Sequence, residues 1–73
     1  MATYIVMVPN YWGKADNLAA AWQRVAQECG KSVRALKKTR HVLIETTDPK
    51  ARVDEMGYFI TQGEYKIIEE KQA

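Results

Sequence analysis

Apolar and polar positions change period several times along the chain, and each change marks an element. From Thr3 to Val8 the residues are β-branched, aromatic or long and apolar, and Pro9-Asn10 ends the run. That predicts a first strand. Tyr4, Val6 and Val8 point to one face and Ile5 and Met7 to the other, so both faces are apolar, as in the interior of a sheet. Asn10 to Ala15 is expected to be a loop, carrying Tyr11 and Trp12 just ahead of Gly13.

The period then lengthens. Leu18, Trp22, Val25 and Cys29 recur at helical spacing, with Ala21 and Ala26 beside them, while Gln23, Arg24, Gln27 and Glu28 lie away from that stripe. An amphipathic helix is predicted over Asp16 to Gly30. Asp16 is the expected N-cap, since its carboxylate can accept free N–H groups of the first turn, and Gly30 is the expected left-handed stop. Beyond it, Val33 and Leu36 fit either one more helical turn or a packed loop.

His41 to Thr46 reads as a second strand, with Val42 and Ile44 on one face and Leu43 on the other. Asp48-Pro49 marks a turn. A hairpin is expected about Gln62-Gly63, pairing Ile60 with Tyr65 and Tyr58 with Ile67. The order strand, helix, strand, strand, strand predicts an α+β domain, with one helix on one face of a small, mostly antiparallel sheet. One helix covers only one face. Ile5, Met7, Leu43, Phe59 and Ile68 are left for the other, and a cluster of this kind predicts a homodimer or partner surface. Alternatively, the Lys31 to Lys38 segment or the C-terminal tail folds over it.

Composition narrows the class. Seventy-three residues make a single small domain, and a net charge of +2 is too weak to argue for nucleic acid by itself. The single cysteine, Cys29, excludes an internal disulfide and reads as a small apolar residue in a reducing compartment. MATYIVMVPN has no basic lead and too short an apolar run for a signal peptide or membrane span, so the expected compartment is the cytosol.

Candidate chemistry is sparse. Gly30-Lys31-Ser32 copies part of a phosphate-binding loop, but the pattern's first glycine position holds Val25, and the tripeptide closes a helix rather than opening one. His41 and Cys29 have no metal-ligand spacing, and the carboxylates fall in turns and ends. No catalytic residue, metal site or cofactor site is assigned. Charge, however, is segregated. Lys31, Arg34, Lys37, Lys38 and Arg40 form a basic segment without an acid, suited to nucleic acid phosphates, to an acidic protein or simply to solvent. Tyr11 and Trp12 fit base-stacking platforms or interface anchors, although Trp12 also fits a lid over the first helical turn.

TYIVMVPNYWGKADNLAAAW resembles the opening of small accessory proteins encoded by tailed bacteriophages, in which a strand leads through a Trp-Gly-Lys loop to a helix with buried alanines. ETTDPKARVDEMGYFITQGEY resembles the second half of the same group, with Asp48-Pro49, Val53-Asp54 and Met56-Gly57 as its markers. The resemblance implies a non-enzymatic protein of the infected bacterial cytoplasm that binds and redirects a host machine, RNA polymerase being a frequent target. Contact is expected through the basic segment with Tyr11 and Trp12, or through the uncovered sheet face with Phe59. The alternatives are a small nucleic-acid-binding module using the same cations and an oligomeric small-molecule carrier. The last follows a topological similarity to flavin-storing dodecamers, although no residue here specifies a flavin site.

Overall fold

The computed structural model describes residues 1–72. Its elements, in order, are β1 (Thr3–Val8), β2 (Tyr11–Ala15), α1 (Leu18–Cys29), α2 (Val33–Lys37), β3 (His41–Thr46), β4 (Arg52–Val53), β5 (Phe59–Ile60) and β6 (Tyr65–Lys71). The α+β class holds: α1 packs on one face of a four-stranded antiparallel sheet ordered β2-β1-β3-β6, and β4 and β5 form a separate two-stranded sheet. Among the described residues, no helix is long and apolar enough to cross a membrane.

The expected Asn10 to Ala15 loop is a strand. Pro9 and Asn10 make a tight turn, after which Tyr11 to Ala15 runs back along β1, with Val8 opposite Tyr11 and Met7 opposite Trp12. Asn10 takes φ 72°, a left-handed conformation that asparagine tolerates better than most side chains. With Ala15 held in the sheet, the helix begins later than expected. Its N-cap is Asn17 rather than Asp16, and the Asn17 side chain accepts the Ala20 N–H at 2.8 Å. Gly30 ends α1 in the left-handed conformation, as predicted. Val33 and Leu36 do belong to a helical turn, α2, capped by Ser32.

The alternation in β1 and β3 sets up two cores. Val6 and Leu43 meet Ala21, Trp22, Val25, Ala26 and Leu36 on the helix side. Ile5 and Ile44 lie directly opposite each other on the other side and are joined there by Ala51. Leu43, expected on the face of Ile5, is thus on the helix face, because β3 pairs it with Val6.

The second sheet face is not left bare. Ala51, Val53 and Phe59 cover its centre, a layer supplied by neither the Lys31 to Lys38 segment nor the C-terminal tail. Two polar anchors hold this layer. Lys14 Nζ donates to the Pro49 and Ala51 carbonyls, each at 2.9 Å. The Asp48 carboxylate accepts the Lys50 N–H at 2.9 Å and the Gln62 N–H and Thr61 hydroxyl at 3.1 Å.

The covering layer also explains why the expected hairpin about Gln62-Gly63 does not form. Ile60 pairs with Arg52, not Tyr65, and Tyr65 pairs with Thr46 of β3. Tying residues 61 and 62 to Asp48 turns β5 away from β6. Phe59 and Tyr65 still touch, but as an edge-to-face ring pair 5.1 Å apart. Ile68 sits at a bulge of β6 and is about half exposed.

The Asp48 cluster carries a pH dependence. The Gln62 N–H, then that of Lys50, with the Thr61 hydroxyl and Lys14 charge, hold its carboxyl below the usual aspartate range, outweighing the opposing effect of desolvation. A carboxyl lowered in the folded state stabilises above its unfolded value, about 4, and loses that contribution as pH falls through the folded value. The melting temperature should therefore drop on acidification from roughly pH 5 toward pH 3. Asp48→Asn should make that descent shallower. An unchanged acid limb in the mutant would show that the anchor is not a protonation-dependent tie.

Candidate functional site

The basic segment is built around α2. Leu36 is the buried foot of this short helix, and Val33 packs beside it against the helix-side core. With that side fixed, Lys31, Arg34, Lys37, Lys38 and Arg40 are all exposed. The acid–base side-chain contacts found among the described residues are His41–Glu69 and Lys66–Glu45, so none of the five cations has an acidic partner there. Lys37 nevertheless has a packing role. Its ammonium lies 5.7 Å from the centre of the Trp22 ring, a cation–π distance.

Tyr11 and Trp12, on successive residues of β2, are treated differently by the fold. Trp12 is half-buried against the core of Ile5, Ile44 and Ala51. This is the sheet face away from α1, so Trp12 is not a lid over the first helical turn; its pairing opposite Met7 sends it the other way. Tyr11, next to the β1–β2 turn, is 42% exposed.

Both aromatics border a half-open cleft of about 450 Å³, a volume in the range of small-molecule sites. Arg40 borders it too, because pairing of Met7 with Val42 brings the start of β3 alongside the end of β1. The turn after β4 also lines it, with Asp54, Glu55 and Met56. Asp54 holds that turn, its carboxylate accepting the Met56 and Tyr58 N–H groups at 2.9 Å each. Arg40 is thus the cation that joins the basic segment to Tyr11 and Trp12. Phe59 is not part of this cleft and sits within the layer covering the second sheet face.

His41 is buried at the junction. Its Nδ1 faces the Thr39 carbonyl at 2.9 Å and its Nε2 faces the Glu69 carboxylate at 2.8 Å, while its ring meets Trp22 edge-on at 4.9 Å. Both ring nitrogens are occupied within the fold, so neither is open to a substrate proton or a metal. His41 is a positioning residue for the start of β3, and the sequence signal for this was its place at the first position of a strand. Cys29 is half-buried and its thiol lies 4.0 Å from the Ala26 carbonyl. Among the described residues, no group of three or more His, Cys, Asp or Glu is arranged to hold a metal ion.

The arrangement can bind: an exposed basic segment meets, at Arg40, a cleft lined by two aromatic side chains and by acids. Compared with protein-family models, curated proteins and solved structures, the chain matches none.

Proposed function

We propose that this chain is a non-enzymatic binding protein that docks on an acidic surface of a larger protein assembly, through its basic segment and the adjoining aromatic cleft. The observation that carries this reading is the set of five exposed cations without acidic partners among the described residues, linked to Tyr11 and Trp12 by Arg40. Such a surface accelerates encounter with an acidic partner, and exposed aromatics then supply short-range anchoring. The resemblance to tailed-phage accessory proteins supports a host machine of the infected bacterial cytoplasm as the partner, with RNA polymerase the first to test.

Nucleic acid would use the same cations. Asp54 and Glu55 among the residues lining the cleft weigh against it, because a phosphate backbone offers only negative charge whereas a protein surface can answer both signs. The net charge of +2 points the same way.

The test is a triple variant, R34Q/K38Q/R40Q, which spares Lys37 because that residue covers Trp22. All three positions are exposed, so the melting temperature should change little. Association with purified bacterial RNA polymerase at low salt should slow by about tenfold, with a smaller change in dissociation. No binding of the wild-type chain to the polymerase would remove that partner. Micromolar binding of wild type to random duplex DNA at physiological salt, lost in the triple variant, would overturn the acidic-protein reading in favour of phosphate contacts.

A further inference from the structure

β6 is an edge strand: among the described residues it pairs with β3 on one side and has no neighbour on the other. Seven residues long, it leaves Tyr65, Ile67 and Ile68 about half exposed. An edge of this length is a template for another strand unless its side chains forbid it. The order of side chains decides which.

Glu64-Tyr65-Lys66-Ile67-Ile68-Glu69-Glu70-Lys71 has a reversed complementarity about its centre. Laid antiparallel on a second copy of itself about a two-fold axis between Ile67 and Ile68, it sets Ile67 against Ile68, Lys66 against Glu69, Tyr65 against Glu70 and Glu64 against Lys71. Each match occurs twice. Four opposite-charge pairs result, with the isoleucines of the two bulges meeting at the centre, and no like charges meet.

For this to work, matched residues must also project from the same sheet face. In a regular strand they would not, since Lys66 and Glu69 are an odd number of positions apart. The bulge corrects the phase. Lys71, Glu69 and Lys66 pair with His41, Leu43 and Glu45, alternate residues of β3, and therefore share the helix-side face. The ladder continues through the Thr47 N–H donated to the Glu64 carbonyl, which places Glu64 on that face as well. Glu70, Ile67 and Tyr65 pair with Val42, Ile44 and Thr46 and share the opposite face. A bulge ordinarily discourages edge pairing. This one puts both halves of the strand in register with a copy of itself.

We propose that β6 is a self-association edge, and that two copies of the chain join through antiparallel β6 strands into one continuous eight-stranded sheet. The proposal is independent of the basic segment and cleft.

Sedimentation equilibrium of the full chain, from micromolar to several hundred micromolar, tests it. A species of twice the 8.4 kDa chain mass is expected. Glu64 and Lys71 take part in neither the His41–Glu69 contact nor the Lys66–Glu45 ion pair, so reversing their charges removes no partner of either. E64K or K71E alone sets like charges together twice and should weaken the dimer about tenfold. The double variant E64K/K71E restores opposite charges and should return to near wild-type affinity. I68K should give a monomer, and its thermal melt should show that the exposed position leaves the fold intact. A monomer at every concentration overturns the proposal. So does a dimer that ignores both the charge reversals and I68K, since another surface would then join the copies.

Discussion

Trp22→Ala should leave the chain largely unfolded at room temperature. Trp22 is 3% exposed at the centre of the helix-side core, so truncation removes a large buried ring and leaves a cavity that a small domain cannot fill by collapse. Substitutions of this kind cost about 3 to 5 kcal/mol. The loss extends beyond the ring, because His41 packs against it edge-to-face and Lys37 lies over it. An edge-to-face contact is worth roughly 0.5 to 1.5 kcal/mol beyond area alone. Folded domains are stable by about 5 to 15 kcal/mol, with those of this size near the bottom of that range. Circular dichroism on heating should show no cooperative transition, or one displaced by tens of degrees. A melt within a few degrees of wild type would mean that α1 is not what the sheet is assembled on.

Gly13→Val should rank second. Gly13 is buried in β2 where that strand passes directly over α1. A Cβ there would lie 3.0 Å from Val25 Cγ2, 3.1 Å from Arg24 Cβ and 3.2 Å from the Ala21 carbonyl oxygen. Two of these contacts are to the helix backbone or its first side-chain carbon, so no rotamer change relieves them. The helix itself would have to move, and overpacking of this kind typically costs about 1 to 3 kcal/mol. Replacing glycine also restricts the unfolded chain, a gain of only about 0.4 to 1 kcal/mol where the site can accept a side chain. The clash wins. At roughly 4 to 8 °C per kcal/mol, Gly13→Ala should lower the melting temperature measurably and Gly13→Val considerably further. A rise in the alanine variant would show that strand and helix are less closely apposed than the structure has them.

What the sequence disclosed depended on whether a signal was local. Strong alternation placed β1 and β3 and divided the faces of β1 correctly, since Tyr4, Val6 and Val8 contact the helix-side core while Ile5 and Met7 contact the other. For β3 it gave the alternation but not which side met the helix, and Leu43 was put on the wrong one. The stripe of Leu18, Trp22 and Val25 located α1. β2 was hidden because Gly13 and Lys14 dilute its strand character. Gly13 is there for close packing and Lys14 to clamp the second layer, reasons that belong to the tertiary structure. The Pro9-Asn10 pair followed by two aromatic residues was the available hint. The last third was misassigned for a different reason. Alternation tells which side chains share a face but not which strand is the neighbour, and β6 found β3 across a long separation instead of β5. The basic segment was visible in full, whereas its junction with Tyr11 and Trp12 was not. That junction exists only because β1 and β3 are adjacent.

The adjacency of β1 to a covering layer built late in the chain has a consequence for synthesis. Ile5 is wholly buried, yet its cover on the side away from α1 is Ala51 with Val53 and Phe59, residues more than forty positions later. On a ribosome, β1 can find β2 almost at once, and α1 can close over Val6 soon afterwards. At about 5 to 20 residues per second, the other side of the nascent sheet stays open for roughly 2 to 10 seconds until the covering residues emerge. During that interval Ile5 and Met7 form a bare apolar strip on an otherwise formed hairpin. In the finished molecule Ile5 is hidden and only part of Met7 remains, at the edge of the cleft, so the demand for a chaperone belongs to synthesis and not to the folded state.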